Sequence, residues 1–214
     1  MKNYLTEFIG TFFLVLAIGL SVGAGSSIGH MAPVAIGVTL MVMVYMGGHI
    51  SGAHYNPAVT LAVLIRGKIN GKEAGLYMLS QILGSLAAAG VASMLVQDAS
   101  FNFGTALSPG ANATYLQALL VEVLFTFALA LVVLNVATTK ATEGNSYYGL
   151  AIGFTVLAAA YAGGGISGGA FNPAVGIGPN VIGGDSNDLW IYLVGPFAGG
   201  ALAGLVYKFQ HPKG

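Results

Sequence analysis

Fourteen residues of this chain are written twice. The segment GHISGAHYNPAVTL at 48–61 returns as GGISGGAFNPAVGI at 164–177, 116 positions later, with eight of the fourteen positions identical. The likeness continues on both sides: EFIGTFFL at 7–14 aligns with EVLFTFAL at 122–129, and QILGSLAAAG at 81–90 with PFAGGALAGL at 196–205, both offset by 115. A chain of 214 residues assembled from two copies of one unit is constrained to fold as two copies of one structure.

Charge decides the medium in which the copies fold. Only 7% of residues are charged and 56% are hydrophobic, with a mean hydropathy of +0.80, whereas a soluble domain carries about 25% charged residues. No charged residue occurs between 8 and 65, and further uncharged runs cover 74–97, 99–121, 123–139, 144–184 and 189–207. At about 20 residues per membrane-spanning helix, spans are predicted near 4–23, 33–50, 73–95, 115–137, 147–163 and 188–208. A signal peptide is the alternative for the N-terminus, but Glu7 interrupts it, and its removal would delete the partner of a later repeated span. Zero net charge without a basic cluster excludes nucleic acid as a partner. The absence of cysteine excludes disulfides and thiolate chemistry.

Two uncharged runs, 8–65 and 144–184, are longer than their spans need, and the surplus in each is the repeated Asn-Pro-Ala segment. That surplus lies at membrane depth, where irregular backbone is tolerated only beside protein or a water-filled cavity. The predicted fold is an all-α polytopic membrane protein: six transmembrane helices plus two re-entrant half-helices in two inverted repeats. It forms a single domain over 1–214, with repeats of about 1–97 and 115–214 joined by an outer loop at 98–114. Three spans per half is an odd number, so the second half is inverted relative to the first. With both termini cytoplasmic, all seven basic residues (Lys2, Arg66, Lys68, Lys72, Lys140, Lys208, Lys213) fall on the cytoplasmic face and Asp98, Asp185 and Asp188 on the other, as the positive-inside bias requires. Trp190 and Tyr192 read as lipid-interface anchors, and the small residues of GSLAA at 84–88 and GGALA at 199–203 as sites of close helix approach.

The repeated segment carries the chemistry. Asn56-Pro57-Ala58 and Asn172-Pro173-Ala174 each place a favoured N-cap before a proline suited to the first helical position, predicting short helices near 57–66 and 173–182. Entering from opposite faces, these helices point their N-termini, each with about half a positive charge, at one another near the midplane and repel cations. With each Asn oxygen capping its helix, the side-chain NH2 groups are free to donate to a passing water. That water then cannot accept from the next, so the proton-relaying chain is interrupted. The expectation is that water passes and protons do not. The glycine-rich approaches SGAHY at 51–55 and SGGAF at 167–171 suit extended backbone along the lumen. His54 is expected to face its cytoplasmic half, with a packed histidine as the alternative.

Glu7 and Glu122 occupy equivalent positions in the first span of each half. A proton relay is one reading; the preferred one is that each carboxyl accepts hydrogen bonds from the re-entrant loop. His30, His49 and His211 have no metal-ligand spacing, so neither metal nor cofactor is expected. Gly165-Ile166-Ser167-Gly168 fits an intramembrane serine protease pattern, but the only later histidine is His211 in the tail, and Ser51 is an inert-looking twin. A secondary transporter shares the inverted-repeat architecture, yet the spans offer no charge besides Glu7 and Glu122 for a substrate or ion site.

The two SG-x-x-x-NPA segments, the glutamates opening spans one and four, and Gln81 and Pro196 in spans three and six make the chain resemble the aquaporin, or major intrinsic protein, family over its whole length. The resemblance implies a membrane channel and not an enzyme: a homotetramer in a cell membrane, with one pore per subunit for water or small neutral solutes. It also implies a departure. The family places a filter arginine directly after the second NPA, where this chain has Val175, and the only arginine, Arg66, lies on the cytoplasmic side. The other filter positions fall on Ile36, Ala160 and Gly169, and an aspartate of glycerol channels is replaced by Gly176. A wide apolar filter, passing glycerol, urea or ammonia besides water, is the expectation.

Overall fold

A computed structural model describes residues 1–23, 29–96 and 101–212. Its helices are α1 (Lys2–Val22), α2 (Ala32–Ser51), α3 (Pro57–Arg66), α4 (Gly71–Leu95), α5 (Phe103–Ala106), α6 (Tyr115–Ala137), α7 (Tyr148–Ser167), α8 (Pro173–Gly183) and α9 (Leu189–Gln210). Six of these are long and apolar enough to cross a membrane, and the ten-residue α3 and eleven-residue α8 are not. The predicted spans match to within a few residues, the largest difference being the end of α7. That helix continues to Ser167, because Gly168, not a residue near 163, takes the left-handed conformation that stops it. Asp98 and Lys213 lie outside the described residues.

Local chemistry explains the ends. The α3 and α8 helices open on Asn-Pro, with Pro57 and Pro173 in the first turn, and close on left-handed Gly67 and Gly184. Asn70 caps α4, and Thr114 with Gln117 forms a reciprocal capping box at α6.

Packing repeats between the halves. The α1 helix packs on α4 as α6 packs on α9, while α3 lies against α9 and α8 against α4, so each half-helix is embraced by the opposite half. Small residues set these distances. A Cβ on Gly84 would come within 2.5 Å of the Phe8 carbonyl, and one on the equivalent Gly199 would strike the Val123 carbonyl, so both predicted small-residue stripes are buried helix contacts. At the crossing of α2 and α7, Gly37 and Gly153 face each other, each blocking a Cβ on its partner.

Candidate functional site: a lumen built around two asparagines

Asn56 and Asn172 come together between the N-termini of α3 and α8. Asn56 Oδ1 accepts from the N–H groups of Ala58 at 2.8 Å and Val59 at 3.4 Å, and Asn172 Oδ1 from that of Ala174 at 2.9 Å. Each side-chain amide also reaches across the repeat: Asn56 Nδ2 donates to the Phe171 carbonyl at 2.8 Å, and Asn172 Nδ2 to the Tyr55 carbonyl at 2.9 Å. The expectation of wholly free NH2 groups is therefore corrected. One hydrogen of each ties the halves together, and one remains for the lumen that both residues line.

The loops leading to these asparagines hold three non-glycine residues with left-handed backbone: Ala53, Tyr55 and Phe171, each at φ 50°. Such conformations for aromatic residues cost roughly 1–2 kcal/mol each. The buried glutamates offset this. Glu7 accepts from Ser51 Oγ (2.6 Å), the N–H groups of His54 (3.0 Å) and Tyr55 (2.7 Å), and Gln81 Nε2 (2.7 Å). Glu122 accepts from Ser167 Oγ (2.8 Å) and the N–H groups of Ala170 (3.0 Å) and Phe171 (2.6 Å). Both carboxylates are fully buried, and neither lines the lumen. Ser51 and Ser167 also accept from the N–H groups of Ala53 and Gly169, so Ser167 belongs to a loop clasp without a histidine base.

Sequence reasoning missed a second clasp. Tyr77 OH donates to the Ser51 carbonyl at 2.9 Å and Tyr192 OH to the Ser167 carbonyl at 2.6 Å. The two tyrosines are 115 positions apart, the same offset as the repeated spans that flank the Asn-Pro-Ala segments, and that spacing was the available signal. Tyr192 is thus not a lipid-interface anchor: it is fully buried, and Trp190, which is exposed and packs edge-on to Tyr115, fits that description alone.

Two cavities meet along this path. One of about 360 Å³ is lined by Asn56, Asn172, Ile36, Ala160, Gly169 and Val175, with Ala106, Ser108 and Gly110 of the connecting loop at its mouth. The other, about 1020 Å³, is lined by Arg66, Lys68, Lys140 and His211 and opens at the basic face. His54, Val133 and Ile152 line both. All four residues at the filter positions therefore face the same cavity as the asparagines, and His54 stands at the junction. The connecting loop is held there by Asn102, which caps α5 and donates to the Gly183 carbonyl at 2.8 Å, and by the Gly110 N–H on the Ile166 carbonyl. Arg66 and Val175 line different cavities: the Arg66 guanidinium lies over the Tyr207 ring, 4.9 Å from the centroid, in the basic vestibule.

Comparisons with known proteins bear on the family and the fold of the chain as a whole. The family model "Major intrinsic protein" matches residues 1–207. Aquaporin NIP1-1 of Zea mays is 36% identical over 213 residues, spanning 97% of this chain and 74% of that protein. Nodulin-26 of Glycine max is 34% identical, spanning 97% and 77%. Among solved structures, the aquaglyceroporin from Plasmodium falciparum superposes with a TM-score of 0.83 at 21% identity, over 96% of this chain and 94% of that one.

Proposed function

The chain belongs to the major intrinsic protein family, and we propose that its conduction path is a broad one, with Ile36, Ala160, Gly169 and Val175 forming a wide apolar filter. It is a multi-pass membrane protein and a passive channel for water and small solutes, not an enzyme. One observation carries the broader reading: the residue after the second Asn-Pro-Ala that borders the cavity is the apolar Val175, while Arg66 lines the other cavity beside Tyr207. An apolar, uncharged constriction admits small neutral solutes such as glycerol, urea or ammonia without a charged donor to bind them.

Proton and cation exclusion then rests on the centre of the path. The asparagine amides and the two half-helix N-termini hold a passing water by its oxygen, breaking a proton relay. Glu7 and Glu122 hold the loops that position those amides. The basic face is the cytoplasmic one in this reading, which places both termini there in a cell membrane. Assembly is as a homotetramer with one lumen per subunit, as the family resemblance implies.

The test is osmotic shrinkage of proteoliposomes by stopped flow, with sucrose and then glycerol as osmolyte, for the native chain and Val175→Arg. Native water and glycerol flux, with glycerol restricted in the variant, supports the broad filter. Native flux of water alone overturns it.

A further inference from the structure

The two halves hold their loops alike but treat the lumen differently. Glu, Ser and Tyr recur in both clasps. Three further residues occur only in the first half: His54, Thr60 and Gln81 are matched in the second by Ala170, Gly176 and Pro196. The second loop is seated on Glu122 without equivalents of these side chains.

Their hydrogen bonds share one atom. Gln81 Nε2 donates to Glu7 and, at 3.0 Å, to Thr60 Oγ1; Thr60 Oγ1 donates to the Asn56 carbonyl at 3.1 Å; and His54 Nδ1 lies 3.1 Å from the same oxygen. A hydroxyl has one hydrogen and two lone pairs. With its hydrogen on Asn56 and one lone pair facing Gln81, Thr60 can only accept from His54. Turning the hydroxyl toward the imidazole instead would forfeit the Asn56 bond, leaving two bonds at Thr60 in place of three.

We propose that Thr60 and Gln81 are positioning residues that lock neutral His54 as its Nδ1–H tautomer, presenting Nε2 to the lumen as a fixed acceptor. No hydrogen bond from a described residue takes up Nε2, and His54 lines both cavities. The ring is steadied by Tyr77, whose centroid is 5.1 Å away. The polarity fits the centre. A water held by its oxygen at the asparagines turns its hydrogens outward. The next water toward the basic face then does the same, and Nε2 accepts from it. The other tautomer would place donor against donor. The inference rests on reading this lumen as the conduction path, but its test does not depend on which solutes pass.

The test is 15N solid-state NMR of lipid-reconstituted protein labelled at histidine, in a background where His30, His49 and His211 are replaced by Gln so that His54 alone reports. The expected spectrum has a protonated Nδ1 and an unprotonated Nε2. Thr60→Val removes the acceptor and shifts the tautomer ratio toward Nε2–H by about fivefold, the effect of one ordinary hydrogen bond, and Thr60→Ser restores it. A protonated Nε2 in the otherwise native protein overturns the proposal, whatever the variants do, and so does a ratio unmoved in Thr60→Val.

Discussion

Glu122→Gln separates the two roles open to a buried membrane carboxylate. The variant keeps the shape and changes only which edge can accept. In its least costly orientation the amide oxygen replaces Oε1, retaining Ser167 and Ala170, and the NH2 stands where Oε2 accepts from the Phe171 N–H at 2.6 Å. A buried N–H without a partner costs about 1–3 kcal/mol, and the two retained bonds each weaken by about 1 kcal/mol on losing charge assistance. Removing a desolvated charge returns part of this, leaving a net loss of roughly 2–4 kcal/mol in seating the loop. Because Phe171 also holds backbone strain and receives Asn56, the loss appears at the pore centre. Thermal unfolding in detergent, with stopped-flow water flux and a pH-sensitive dye in liposomes, reads it. The expected result is a lowered midpoint with reduced water flux. Native stability and native water flux would refute the loop-holding assignment, and native water flux with altered proton flux would identify Glu122 as a relay.

Two further variants probe the frame. Gly153→Val drives side-chain atoms into α2, where Gly37 allows the backbones to touch, and is expected to destabilise by about 1–3 kcal/mol, read as a lowered unfolding midpoint. Tyr192→Phe removes only the hydroxyl on the Ser167 carbonyl and is expected to lose about 0.5–1.5 kcal/mol, whereas Trp190→Phe at the exposed belt changes stability by less than about 0.5 kcal/mol; equal effects in the same thermal assay would contradict the buried clasp.

Much of this was legible in the sequence because membrane folding follows two coarse rules. Uninterrupted apolar length predicts a span, and the surplus around Asn56 and Asn172 predicts backbone that re-enters. Asn-Pro predicts where the short helices begin, since capping and the missing proline N–H are local effects. The partners that complete the site were not legible, because they are distant in sequence. The reach of Asn56 Nδ2 to the Phe171 carbonyl spans 115 positions, and that of Asn172 to the Tyr55 carbonyl spans 117. Tyr192 was misread for a related reason: an aromatic near a span's end has the same local signature whether it faces lipid or, as here, a carbonyl in the interior. The mouth formed by Ala106, Ser108 and Gly110 comes from a loop without a repeated counterpart to compare.

The repeat supplies its own control for assigning roles. Positions kept in both halves act on the backbone: the glutamates on the loops, the asparagines on helix ends and on each other's loop, the tyrosines on serine carbonyls, and the paired glycines at helix crossings. The asparagines also line the lumen, and three positions that differ lie at it or beside it. His54 against Ala170, with Thr60 against Gly176 and Gln81 against Pro196, makes the path toward the basic face polar at a point where the opposite side is bare. The frame is therefore symmetric and the path is not. In a passive channel this asymmetry cannot drive net transport; it sets the order in which a solute moving one way or the other meets apolar walls, amide donors and the imidazole. On the proposed reading selectivity is divided, with size and apolarity decided at Val175 and hydrogen-bond polarity decided from the asparagines to His54.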